Sequence, residues 1–174
     1  MKFFEAFANI FRIKDLRYRF LFMLAMLAVY RLGSFIPTPG INTIRWQEFL
    51  DSQAGSIFGF FDLFAGGNIR RLSVFALGIM PYITASIILQ LLTVVVPTLE
   101  KLSKEGELGR RKITQWTRYL TIALAIAQSF GIAISLESSS AGLVIDPGLW
   151  FTMLTILSLT TGSALILWLG EQIT

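Results

Sequence analysis

The 174-residue sequence contains no cysteine and no histidine. Disulfides are excluded, and with them thiolate or imidazole metal sites and every Cys-His or Ser-His catalytic arrangement. No metal site, no cofactor and no enzymatic reaction is expected. Charge is also scarce: Asp, Glu, Lys and Arg make up 15% of the residues against 54% hydrophobic, and mean hydropathy is +0.66. Soluble domains carry about 25% charged residues, so this composition belongs to an integral membrane protein. The net charge of +4 could suggest nucleic acid, but in a membrane chain the placement of basic residues carries the meaning.

Four apolar runs are present: Phe20 to Ile36, Leu72 to Leu99, Tyr119 to Leu136 and Pro147 to Gly170. They predict an all-α polytopic membrane bundle, one transmembrane domain with spans over about 18–36, 72–97, 116–136 and 148–171 and a loop over 98–115. The first run contains Arg31 and spans only if that residue lies near one face and snorkels. The second exceeds the required length and must tilt, kink or emerge at one end. The Gly78 and Pro81 pair permits a kink there. Trp150 and Trp168 flank the fourth as interfacial anchors. The basic start of the chain is not a cleavable signal peptide, because no small-residue cleavage site follows the first span.

Orientation follows from the 15 Lys and Arg residues. Lys2, Arg12, Lys14, Arg17 and Arg19 precede span 1, and Lys101, Lys104, Arg110, Arg111, Lys112 and Arg118 follow span 2. The opposite side has only Arg31, Arg45, Arg70 and Arg71. Both ends of the sequence are therefore expected in the cytoplasm, with residues 55–68 outside or entering the membrane from outside.

That segment, "GSIFGFFDLFAGGN", is rich in aromatics yet too short to cross a bilayer. Ile57, Phe60, Phe61 and Phe64 fall at i, i+3, i+4 and i+7 on one face of a short helix, with Asp62 off that face. Two readings stand: a re-entrant piece inside a protein-lined cavity, or a helix lying flat on the outer leaflet. Ile79 and Ile83, four apart in span 2, either narrow a pore or pack against a neighbouring helix. Thr84 and Gln128 are polar groups at membrane depth that suit a cross-helix hydrogen bond, gating or merely cohesive.

The stretches "YRLGSFIPTPGI", "FALGIMPYITASIILQLLTVVVPTL", "KEGELGRRKITQWTRY" and "LWLGEQIT", in this order and spacing, resemble the N-terminal part of the SecY family, the central subunit of the bacterial Sec protein-conducting channel. Members have ten spans in two halves of five, so the resemblance covers a first half lacking its fifth span, and a piece of a longer channel is expected. The resemblance implies a plug over about 55–69, including Ile57, Phe58, Phe60, Phe61, Asp62, Leu63 and Phe64. It assigns Ile79 and Ile83 to an apolar pore ring, Thr84, Ile87, Leu91 and Gln128 to a lateral gate, and Lys101, Lys104, Arg110, Arg111 and Lys112 to a cytoplasmic loop. It further implies a passive conduit in the bacterial inner membrane for secretory and membrane-protein nascent chains, braced by SecE and SecG and driven by the SecA ATPase or a translating ribosome. Nothing in "LSKEGELGRRK" has the order of a phosphate-binding loop. The rival readings are a secondary transporter, against which the lack of ionisable groups in spans 2 to 4 argues, and a structural membrane subunit with a re-entrant helix.

Overall fold

A computed structural model of the chain describes residues 14–52, 66–139 and 142–173. These residues form six α-helices: α1 (Lys14–Gly33), α2 (Thr43–Ser52), α3 (Met80–Val95), α4 (Pro97–Lys104), α5 (Glu107–Ser138) and α6 (Leu149–Ile173). Helix α5 is central, packed against both α3 and α6, and α1 packs on α6. Helices α5 and α6 are each long and apolar enough to cross a membrane, whereas α3 qualifies only together with α4 as a bent pair. At 1.5 Å per residue α1 is about 30 Å long, the thickness of the hydrocarbon core. Its charges sit at its ends. Lys14, Asp15, Arg17 and Arg19 open it, and Arg31 lies in its last turn with its guanidinium over the exposed Phe35 ring.

Small residues let the helices approach. The buried face of α5 runs Gly109, Thr117, Thr121, Ala125, Ser129 and Ala133, a stripe of small side chains that ends on the larger Leu136. Helix α3 lays Pro81, Ala85 and Leu89 toward the bundle. Most hydroxyls of the stripe bond their own backbone four residues back, as Thr117 does to Ile113 and Thr121 to Thr117. Ser129 donates to Ala125 O and also lies 3.4 Å from Thr160 Oγ1, linking α5 to α6.

The ends of the bundle differ. At one end Arg118 donates to Glu171 across α5 and α6 at 2.6 Å, and the nearby turns carry Lys101, Lys104, Arg110, Arg111 and Lys112. Tyr18 and Arg19 of α1 face Gln172 and Ile173 there. At the opposite end three connecting segments are stitched together. Asn42 N donates to Leu143 O and Ile145 N to Gly40 O, while Thr38 N donates to Leu72 O and Val74 N to Ile36 O, at 2.9 to 3.1 Å. Beneath them Ile41, Trp46, Leu72, Leu136, Leu143 and Phe151 form a buried apolar cluster.

The second apolar run is not one helix. Residues 66–79 form successive turns, and helix begins only at Met80. Gly66, Gly67 and Gly78 take positive φ, and so does Leu72 at 44°, a conformation α-helix does not allow. The Gly78 and Pro81 pair therefore starts the helix rather than kinking it. The sharp bend lies 15 residues on, where Val96 is extended and Pro97 begins α4 at 101° to α3. The expected loop over 98–115 is mostly helical: Gly106 at φ 79° turns the chain, and the Leu102 carbonyl rests where a side chain on Gly109 would stand.

Candidate functional site

Ile79 is the last residue before α3, and the first turn closes with Ile83 N donating to Ile79 O at 3.0 Å. The pair is thus fixed one above the other. Ile87 and Leu91 continue the same i+4 row, about opposite the Pro81, Ala85 and Leu89 row that faces the bundle. All four are exposed, by 53, 40, 51 and 63%. The described residues therefore cover Ile79 and Ile83 only in part. They border a concavity of about 340 Å³ formed by α3, α5 and α6, whose other lining includes Tyr82, Thr121, Ser163, Ile166 and Glu171. Ser163 is buried, and its hydroxyl has no hydrogen-bond partner among the described residues. The surface is mostly apolar, with Glu171 its one carboxylate, so it can exclude water or slide past an extended chain.

A model of the SecY family matches residues 73–174. The chain belongs to the SecY family. It is 54% identical over 162 residues to the protein translocase subunit SecY of Escherichia coli (strain K12), covering 92% of this chain and 37% of that protein. The Thermus thermophilus SecY is 50% identical over 174 residues, covering 98% of this chain and 40% of that protein, and the Aquifex aeolicus SecY is 47% identical over 170 residues, covering 95% and 40%. The chain thus spans about two fifths of the length of these SecY relatives. Membership in SecY makes it part of a polytopic helical membrane protein.

The fold of the chain separates its candidate residues into groups. Ile79, Ile83, Ile87 and Leu91 share the exposed row of α3, although the pore and gate assignments divide them. Thr84 does not reach across to another helix: its hydroxyl donates to Met80 O at 3.0 Å, within α3. No hydrogen bond joins it to Gln128, which is half-buried on α5 next to the Ser129 to Thr160 link. Lys101 and Lys104 lie on α4 and Arg110, Arg111 and Lys112 on the first turns of α5. Lys104 pairs with Glu100 and Arg111 with Glu107, both exposed i,i+4 contacts worth about 0 to 1 kcal/mol. Ile57, Phe58, Phe60, Phe61, Asp62, Leu63 and Phe64 lie outside the described residues.

One group had no signal in the sequence. Asn68, Ser73 and Phe75 are buried together against Tyr30 of α1. Gly162 of α6 is a second: a Cβ there would stand 1.9 Å from Val74 O. A run of small residues, "TTGSA", was its only trace.

Proposed function

We propose that this chain forms the N-terminal wall of the Sec translocon, a passive conduit that carries unfolded secretory proteins across the bacterial inner membrane and releases membrane-protein segments sideways into lipid. The observation that carries the reading is the exposed apolar row Ile79, Ile83, Ile87 and Leu91 on α3, whose first two members border the concavity between α3, α5 and α6. Apolar constrictions gate by dewetting, so a ring containing Ile79 and Ile83 would hold back ions and close around a passing chain without binding its side chains. Ile87 and Leu91, with Thr84 and Gln128, would border the lateral exit, and residues 55–68 would be the plug. No bond is made or broken in the chain itself. Work would come from the SecA ATPase or a translating ribosome on the cytoplasmic side, where the basic end of the bundle, including Lys101, Arg110 and Lys112, would face. SecE and SecG would brace the complete assembly. The transporter alternative lacks support, since α3 and the apolar stretches of α5 and α6 carry no Asp, Glu, Lys or Arg and the family match points elsewhere.

Single cysteines test this directly, because the 174 residues contain none of their own. In the full-length channel, with any further cysteines removed, they would be placed at Ile79, Ile83 and Ile126, and a secretory chain carrying one cysteine would be arrested in transit. Ile79 and Ile83 should cross-link several-fold more than Ile126, which is exposed on α5. Equal yields at all three positions would overturn the assignment of the α3 row to the conduit.

A further inference from the structure

Helix α3 is the element that carries the row, yet its first residue follows a chain of turns rather than another helix. What fixes that chain of turns is a closed circuit of side chains. Asn68 Nδ2 donates to the Tyr30 hydroxyl at 2.8 Å, and Ser73 Oγ donates to Asn68 Oδ1 at 3.2 Å. Phe75 N donates to Ser73 Oγ at 3.2 Å, and the Phe75 ring stacks on Tyr30 with centroids 5.4 Å apart and planes 6° off parallel, which closes the loop. Asn68, Ser73 and Phe75 are each no more than 1% exposed. Gly33 admits the Phe75 ring, since a Cβ there would lie 2.2 Å from its edge.

The circuit encloses a strained residue. Leu72 is buried with φ at 44°, a conformation common for glycine and asparagine but costly for leucine, and it keeps that conformation while its carbonyl accepts from Thr38 N and its own N–H donates to Ile69 O. Such a turn persists only while its surroundings over-determine it. The hydroxyl of Tyr30 is the one contact of the circuit that ties the Asn68 amide to α1, and a buried amide that loses its acceptor is destabilised where it stands.

Resting on the conduit reading above, we propose that Tyr30 and Asn68 are positioning residues that lock the start of α3, and with it Ile79 and Ile83, to the far end of α1. They set where the apolar row stands, and releasing them lets the Leu72 turn relax and the row shift.

The test uses the full-length channel in phospholipid vesicles, with spin labels at Leu32 on α1 and Met80 on α3, both exposed. The parent should give one narrow distance distribution. Tyr30→Phe, which keeps the stacked ring and removes only the hydroxyl, and Asn68→Ala should each broaden it, and the double variant should broaden it no further than Asn68→Ala alone, because the two act through one bond. Cysteine cross-linking from Ile79 to an arrested secretory chain should fall several-fold in both single variants. Ala133→Leu on α5 serves as the comparison: it should lower thermal stability yet leave the distribution narrow. Unchanged distributions in Tyr30→Phe and Asn68→Ala would overturn the lock whatever the channel conducts. Broadened distributions with unchanged Ile79 cross-linking would overturn its role in placing the row. A parent channel that does not cross-link at Ile79 would fault the conduit reading instead, while the distance measurement would still decide the lock.

Discussion

Gly162 has a backbone carbonyl where any other residue has its side chain. A Cβ there would meet Val74 O at 1.9 Å, and neither partner is a flexible side-chain end that can swing away. Gly162→Ala is expected to cost roughly 1 to 3 kcal/mol, as overpacking does, and to lower the melting temperature of the full-length protein in detergent. Gly131, on the open face of α5, has nothing within 4 Å. Gly131→Ala should be neutral or should stabilise by up to roughly 1 kcal/mol through helix propensity. Equal melting shifts for the two variants would contradict the close approach at Gly162. At this scale the sequence was legible where spacing repeats and silent where it does not. The i+4 row of Ile79 and Ile83 stands out by period alone, but Tyr30 and Asn68 are 38 residues apart with no pattern joining them. Thr84 bonds locally, because a threonine in a helix has the carbonyl four residues back within reach and a partner on another helix must compete with it.

Among the elements, α5 separates α3 from α6, and its stripe of small side chains sets the spacing of both. Ala125 and Ala133 are buried to 1% and 0% exposure, while Ile126 stands on the open face. Ala125→Leu should act as a wedge, costing roughly 1 to 3 kcal/mol, whereas Ile126→Leu should stay within about 0.5 kcal/mol of the parent. Denaturant melts of both variants, read by tryptophan fluorescence, would check this, and a tolerated Ala125→Leu would mean that α3 and α6 are not held at that distance by α5. The existence of α5 and α6 followed from run length and anchoring tryptophans, with boundaries displaced by the charged first turns of α5. The start of α3 did not follow, because hydropathy cannot tell an apolar helix from apolar turns. The glycines at positions 66, 67 and 78 were visible, but the positive φ of Leu72 was not.

For the whole molecule, the gathering of basic residues at one end of the bundle predicts a single orientation. Cysteines placed singly at Ile145 and Lys101 in the full-length protein should differ in intact cells: a membrane-impermeant maleimide should label Ile145→Cys at once and Lys101→Cys only after the membrane is opened. Labelling of Lys101→Cys from outside would reverse the topology. The clustering itself was legible in the sequence, and the orientation it predicts rests on the tendency of Lys and Arg to collect in cytoplasmic loops. The stitched end opposite gave no such sign, as its bonds are between backbone groups that any sequence possesses. That end has a consequence in time. Arg45 donates to Gly142 O across 97 residues, and Leu136, Leu143 and Phe151 supply half of the apolar cluster that Ile41, Trp46 and Leu72 begin. At the ordinary pace of synthesis of about 5 to 20 residues per second, the early half emerges roughly 5 to 20 s before the late half exists. The part of the chain started first is therefore among the last to be finished, and through that interval its half-built cluster must be sheltered by lipid or by other proteins at the site of insertion.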